Sequence, residues 1–323
     1  MSNLDRRPEE SAAGGLATVS HEPVRRVLAP REVPLGGPRA MLVRRTLPHR
    51  EQRSVGAWCF VDDYGPSTEP MAVPPHPHTG LQTVTWLLSG EVLHQDSIGS
   101  EAVVRPGSLS LMTAGRGITH AETSTPESPP LRGVQLWVAL PGTAREMAPA
   151  FEHHDQLPVH VDGGLSATVV LGRVGDAASP ATTYTPIVGA DVSVAAGDAG
   201  ALPLEPEWEH AVLALSDGLV VDSELVAGGS LVYLGCGREN VVLAASGQSA
   251  RALLLGGEPF DEELLMWWNF VGRDHDEVVA ARDEWQRAVG GADTRFGQVE
   301  SYRGPSLPAP TLPGTRLRPR RRI

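Results

Sequence analysis

The chain has 323 residues, enough for two domains of common size, and 41% of them are hydrophobic, enough to bury a core. With 39 acidic against 27 basic side chains the net charge is −12, so bulk attraction to nucleic acid is not expected. No run approaches the ~20 apolar residues of a membrane span, and the two cysteines, Cys59 and Cys236, lie far apart without a CxxC pair. A disulfide framework or structural zinc site is therefore not expected, and a reducing cytoplasm fits.

Residues 1–22 are polar and rich in Gly, Ala and Pro, and they read as a disordered arm. Strand-like runs follow about every ten residues: Gln82–Leu88, Ala102–Arg105, Leu109–Thr113, Val134–Leu140, Ala167–Leu171, Asp191–Ala195, Ala211–Leu215, Leu231–Leu234, Val241–Ala245 and Arg251–Leu255. Turns such as Ser89-Gly90, Pro106-Gly107, Asp217-Gly218 and Gly228-Gly229 separate them. One helix is expected over Asp274–Val289. Asp274 can cap it, Glu277 stands three residues on, Gly290-Gly291 ends it, and Val278, Ala281, Trp285 and Ala288 mark an apolar face.

The order gives an all-β chain of two similar halves followed by a short helix. Gly90 to Ser108 in the first half parallels Gly218 to Ser230 in the second, with a shorter interval, so the second copy reads as abbreviated. The expected division is an arm (1–22), a first domain (23–140), a second domain with the helix (141–290) and a tail (291–323). From about Gly304 the tail alternates Pro with Leu and Arg and reads as disordered. Its basic tip, Arg316, Arg318, Arg320, Arg321 and Arg322, reads as solvated rather than as a nucleic-acid or membrane contact.

The chemistry concentrates in the first half. His76 and His78 are two apart on what should be extended chain, so their side chains point the same way. His120 and Glu122 repeat that spacing farther along, and two strands each offering such a pair can supply four ligands from facing walls. Three imidazoles and a carboxylate suit Fe²⁺, Mn²⁺, Ni²⁺, Cu²⁺ or Zn²⁺ better than Ca²⁺ or Mg²⁺. If the ion is six-coordinate, two positions stay open for water, dioxygen or a chelating substrate. Pro75 and Pro77 stiffen the first pair, and Gly115 and Gly117 allow a sharp turn ahead of the second.

Other groups read more plainly. His94 and Asp96 are expected to share a surface hydrogen bond, and His153-His154 to be exposed or packed between the halves. Trp267-Trp268 should seal a core, and Arg116 should brace its turn. The second half has no HxH; Glu205, Glu207, Glu209 and His210 lack a downstream His/Glu pair, so no metal is expected there. Nucleophile-elbow, P-loop and dinucleotide-binding motifs are missing from the sequence, which sets aside hydrolase, NTPase and nucleotide-dehydrogenase readings.

These residues resemble the pirin family of the cupin superfamily. The matching segments are His76-Pro77-His78-Thr79-Gly80, Thr83-Val84-Thr85, Gly90-Glu91-Val92, His94-Gln95-Asp96-Ser97, Arg105-Pro106-Gly107, Met112 through Ile118, His120-Ala121-Glu122 and Gln135-Leu136-Trp137-Val138. Late in the chain, Gly257-Glu258-Pro259 and Met266 through Val271 extend the likeness, which covers about residues 22–290. The resemblance implies a bicupin, two β-sandwich (jelly-roll) barrels, with iron in the first alone on the positions of His76, His78, His120 and Glu122. It implies a dioxygenase with quercetin 2,3-dioxygenase-like activity, acting on a small aromatic flavonol with dioxygen. Glu122 would then act as the base that takes the substrate proton. The alternative is a redox- or metal-dependent regulator that binds a transcription factor or metabolic enzyme. After the HPH the family commonly has Arg-Gly-Phe-Glu where this chain has Thr79-Gly80-Leu81-Gln82, and Gln82 could face the site from behind the ligands.

Overall fold

The structure is a computed structural model that describes residues 11–13, 23–35, 41–125 and 130–319. Strands dominate, as the short apolar runs bounded by Gly and Pro predict. The single helix among the described residues is His275–Val289.

Two sandwiches of matching plan make up the molecule. In the first, a seven-stranded sheet runs in the order Ala150–His154, Leu109–Thr113, Leu81–Ser89, Leu131–Ala139, Trp58–Ser67, Met41–Leu47, Arg31–Leu35. It faces a four-stranded sheet ordered Ala72–His78, Ile118–Ser124, Val92–Asp96, Glu101–Val104. The second has seven strands ordered Val159–Asp162, Leu165–Leu171, Ile187–Val194, Ala250–Gly257, Glu209–Ala214, Leu231–Gly235, Arg26–Leu28. Its four-stranded partner is Ala199–Pro203, Asn240–Ala245, Leu219–Val221, Glu224–Val226. All these pairings are antiparallel. The early strand Arg26–Leu28 joins the second sandwich through Leu231–Gly235, so the chain ties the two halves together before it builds the first.

The repeat is visible residue by residue. Gly90 and Gly107 have φ of +84° and +86°; their counterparts Gly218 and Gly229 have +82° and +84°. Only glycine enters that region without strain, so the same turns recur at the same places. The hairpin between the two turns is long in the first half, Val92–Asp96 with Glu101–Val104, and short in the second, Leu219–Val221 with Glu224–Val226.

Indole donors from the first half bond the second. Trp58 Nε1 donates to the carbonyls of Val188 (3.0 Å) and Gly256 (3.2 Å), and Trp86 Nε1 donates to Asp191 Oδ2 (2.9 Å). Gly189 lacks a Cβ where one would come within 2.8 Å of the Trp58 ring, which is what lets the strand approach. The interior of the second sandwich is mostly aliphatic, with Leu165, Val169, Val192, Val212, Val241, Leu243 and Leu254 fully enclosed.

Asp274 caps the helix by accepting from Glu277 N at 2.9 Å. The Glu277 carboxylate bonds the amide of Arg273 (2.8 Å) rather than that of the cap, one residue off the capping-box pattern. Val278, Ala281 and Trp285 are buried against Trp267, Trp268, Phe270 and Phe296, so the tryptophan pair seals a core as the sequence suggests.

Three expectations are corrected. The stretch beyond Gly304 is not loose: Leu307 N donates to Pro75 O (2.8 Å), Trp285 Nε1 donates to Leu307 O (2.8 Å), and Ala309 and Leu317 are buried. Its leucines pack on the helix and its backbone adds to a strand edge, both of which pattern reading underrates in a Pro-rich segment. Arg116 is exposed and its side chain has no hydrogen-bond or ion-pair partner among the described residues, so none of these ties it to its turn; Gly117 N to Ala114 O (2.9 Å) closes that turn through the backbone. The His94–Asp96 pair is buried rather than on the surface, for reasons given below. Of the expected arm (1–22), only Ser11–Ala13 is described, as a strand pairing with Leu264–Trp267; the remainder, and Arg320, Arg321 and Arg322, lie outside the described residues.

Candidate metal centre

The strand Ile118–Ser124 lies between Ala72–His78 on one side and Val92–Asp96 on the other. Register decides what meets. His120 stands opposite His76 and Asp96, and Glu122 stands opposite His94. Because alternate residues share a face, His76, His78, His94, Asp96, His120 and Glu122 all project to one side of this sheet. The pairing slips between His120 and Glu122, whose partners are His76 and Val73. The extra residue falls at Pro74-Pro75, where a proline without an N–H costs the ladder nothing.

Three imidazoles gather there. Their ring centroids are 4.3 Å apart for His76 and His120, 5.0 Å for His78 and His120, and 5.1 Å for His76 and His78. One ligand atom from each lies within 4.8 Å of the others, and His94, His120 and Glu122 form a second such group that shares His120. All five side chains are buried. Of the four residues singled out from spacing, the three histidines come together in one group, and Glu122 joins through His120 in a second group that adds His94. Its signal was in the sequence, since His94 and Asp96 are a third pair with the same spacing and the same facing.

Electrostatics favour metal ligation. Burial pushes the His76 imidazole down to about 3, and it holds His78 and His120 well below the usual histidine range, with neighbouring rings adding to the effect. The rings are therefore neutral at pH 7 and keep a lone pair. Pro74 O can only accept, so at 2.8 Å it takes the proton of His76 Nδ1 and leaves Nε2 bare. The Nε2 atoms of His76, His78 and His120 are buried and have no hydrogen-bond partner among the described residues. Buried nitrogens left in that condition cost free energy unless something accepts their lone pairs. A divalent ion does so, and this donor set fits a first-row transition ion.

Behind the rings, Thr85 Oγ1 lies 3.1 Å from Glu122 Oε1 and 3.1 Å from Gln135 Oε1. One hydroxyl proton cannot serve two acceptors. The carboxylate takes it, and the Gln135 amide then faces Thr85 with its NH₂. Thr85 and Gln135 are direct cross-strand partners, so register places this pair as well. Gln82 is also buried but bonds Thr113 Oγ1 (2.9 Å) and the Thr182 carbonyl (3.1 Å), outside the ligand group. Trp137 sets its edge against His78 (5.2 Å) and stacks on Phe60 (4.1 Å), which gives the centre an aromatic wall. His153 and His154 are half-buried on the edge strand Ala150–His154, with His153 bonded to Ser110 and Asp155 and His154 to Glu152.

In the second sandwich the counterpart strand Asn240–Ala245 turns Val241, Leu243 and Ala245 inward. His210 is buried there, with burial pushing it down to about 4, and Glu209 accepts from Gly56 N (2.8 Å) and the Tyr233 hydroxyl (2.5 Å). Among the described residues no helix is long and apolar enough to cross a membrane.

Comparison with known proteins agrees with this architecture. Residues 40–138 match the pirin family model, and residues 189–291 match the model of the pirin C-terminal cupin domain. A Pseudomonas aeruginosa protein provisionally named a quercetin 2,3-dioxygenase is 42% identical over 97% of this chain and 98% of its own length. A pirin-like protein of Caulobacter vibrioides is 36% identical over 76% of this chain and 88% of its own. The crystal structure of a quercetin 2,3-dioxygenase from Acinetobacter baumannii superposes with a TM-score of 0.84 at 38% identity, covering 90% of this chain and 96% of that one. On its two family-model matches and its near full-length relatives, this chain belongs to the pirin family and is built as a bicupin.

Proposed function

We propose that the chain holds one divalent ion, iron, on His76, His78, His120 and Glu122, and acts as a dioxygenase of the quercetin 2,3-dioxygenase type. Its substrate class would be a flavonol or a similar enolisable aromatic, with dioxygen as co-substrate. The observation that carries the reading is the gathering of three buried imidazoles, whose Nε2 atoms have no hydrogen-bond partner among the described residues, with a buried carboxylate nearby. The names carried by the Pseudomonas relative and the Acinetobacter structure support it.

When bound, the ion supplies open coordination positions and polarises the oxygen ligands that fill them. The remaining work belongs to side chains. Burial keeps His76 and His120 neutral, and the contacts of their Nδ1 atoms at the rear, with Pro74 O and with His94, orient the rings. Glu122, held at Oε1 by Thr85, is the base that takes the proton of a substrate hydroxyl. Trp137, with Phe60 stacked behind it, keeps water from one side.

The test is to purify the protein without a metal-chelating tag, measure bound metals by elemental analysis, and follow oxygen uptake on adding quercetin, with His120→Ala as control. Iron near one equivalent, with uptake lost in the variant, is the expected result. Iron without turnover on any flavonol would refute the dioxygenase and favour a regulatory role in which a partner protein reads the metal state. Absence of any metal from the wild type would refute the centre itself.

A further inference from the structure

Asp96 sits where the strand Val92–Asp96 turns, and its Oδ1 accepts from the backbone N–H groups of Ile98 (3.0 Å) and Ser100 (2.8 Å). That leaves Oδ2 facing His94 Nε2 at 3.2 Å. His94 Nδ1, on the far side of the same ring, lies 3.4 Å from His120 Nδ1. The Phe151 ring stacks on His94 with centroids 4.3 Å apart and an interplanar angle of 11°. His94 and Asp96 are 2% and 3% exposed, so water does not substitute for these contacts.

The order of donors then follows. A carboxylate only accepts, so His94 Nε2 carries a proton. The relay requires a neutral His94 with its lone pair at Nδ1, to which His120 Nδ1 donates. Neutral His120 in turn has its lone pair at Nε2, a buried atom with no hydrogen-bond partner among the described residues, on a ring grouped with those of His76 and His78.

We propose that Asp96 and His94 are positioning residues that fix the tautomer of His120, so that His120 presents Nε2 to a metal ion. The inference rests on the metal reading above. It differs from the common arrangement, in which a carboxylate or carbonyl bonds the ligating histidine directly, by placing a second imidazole between them. His76 shows the direct form, with Pro74 O as its acceptor.

Asp96→Asn tests the relay sharply. The Oδ1 position is held by two backbone donors, so the amide oxygen stays there and the new NH₂ faces His94. His94 must then accept at Nε2 and carry its proton on Nδ1. His120 accepts that proton's hydrogen bond at Nδ1 and carries its own on Nε2, where it blocks the metal position. One isosteric change two residues removed reverses both rings.

The readout is long-range ¹H–¹⁵N correlation spectroscopy on the metal-free, full-length chain labelled with ¹⁵N-histidine, alongside Zn²⁺ affinity by chelator competition. Wild type is expected to show His120 protonated at Nδ1 and His94 at Nε2. Asp96→Asn is expected to show both reversed and to bind Zn²⁺ ~10–100-fold more weakly, the range typical when such supporting partners are lost. Wild-type His120 protonated at Nε2, or His94 protonated at both nitrogens, would overturn the relay without recourse to any variant. So would unchanged tautomers in a folded Asp96→Asn protein, even if wild type binds Zn²⁺ tightly. Correct tautomers with no Zn²⁺ binding would instead leave the relay standing and remove the metal reading.

Discussion

Replacing Thr85 by valine removes one hydroxyl from behind the centre and leaves its shape. Thr85 Oγ1 is 3.1 Å from Glu122 Oε1, and both residues are buried. Hydrogen bonds to charged groups contribute ~1.5–3 kcal/mol, and each 1.4 kcal/mol is about tenfold in an equilibrium constant. If that bond serves to hold the carboxylate toward the metal, Thr85→Val should weaken Fe²⁺ or Zn²⁺ binding ~10–100-fold. Thr85→Ser keeps the hydroxyl and should restore most of the affinity. The assay is anaerobic chelator competition on all three proteins, with urea unfolding of the metal-free forms to separate stability from binding. Equal affinity in wild type and Thr85→Val would refute the role given to Thr85. Equal weakness in the serine and valine variants would point to packing by the methyl group instead.

Two further outcomes follow from the second sandwich. Asp191 accepts from Trp86 Nε1 (2.9 Å) and Arg251 Nε (2.9 Å), so Asp191→Ala strands a buried indole N–H at the junction of the halves. We expect a loss of ~2 kcal/mol, discounted from the 3–5 of a fully buried pair because Arg251 is 36% exposed; an unchanged urea midpoint would refute it. His210, pushed down from 6.5 to about 4 by burial, binds its proton in the unfolded chain before the folded one. Stability should therefore fall as pH drops below about 6.5 and level off below about 4, a contribution of ~3 kcal/mol at most. The three clustered histidines act in the same direction, so the measurement is the difference between wild type and His210→Gln; parallel stability–pH curves would show that His210 contributes nothing.

Much of this molecule was legible because its signals are local. The i, i+2 spacing of His76/His78 and His120/Glu122 fixes a facing, and register then brings the two pairs together. The repeated Gly turns were legible because each needs a positive φ that only glycine adopts freely. What escaped depends on long-range packing. His94 and Asp96 have the right spacing, but whether their hairpin faces a core or water depends on the sheet stacked over it. The Pro-rich tail carries no period, and its order comes from Trp285, Gln286 and Pro75, all distant in sequence. The abbreviation of the second half gains meaning only from the fold. The shortened hairpin there is the counterpart of the one that carries His94 and Asp96, and the inward positions of Asn240–Ala245 hold Val241 and Leu243. One copy of the repeat has a cluster of polar side chains inside, while the interior of the other is mostly aliphatic.

That contrast bears on what steadies the polar interior, since a cluster of histidines lacks the close aliphatic packing that stiffens its twin. The C-terminal segment supplies two supports from outside. Leu307 N bonds Pro75 O, next to His76, and Phe296 O accepts from Thr119 Oγ1 at 3.0 Å, next to His120. The two anchored strands are the ones paired His76 to His120, so the segment grips both sides of that pairing. A chain ended after Arg303 keeps the Phe296 contact and loses the one at Pro75, together with buried Ala309 and Leu317. Burial of one leucine alone is worth ~1.5–3 kcal/mol, so the shortened protein should unfold at clearly lower urea. Hydrogen exchange at His76 and His78 should accelerate more than at Val212 and Leu213 in the distant second sheet. Acceleration of equal size in both sandwiches would mean that the segment contributes general stability only. No acceleration at His76 would mean that the strand holds the ligand pair without it.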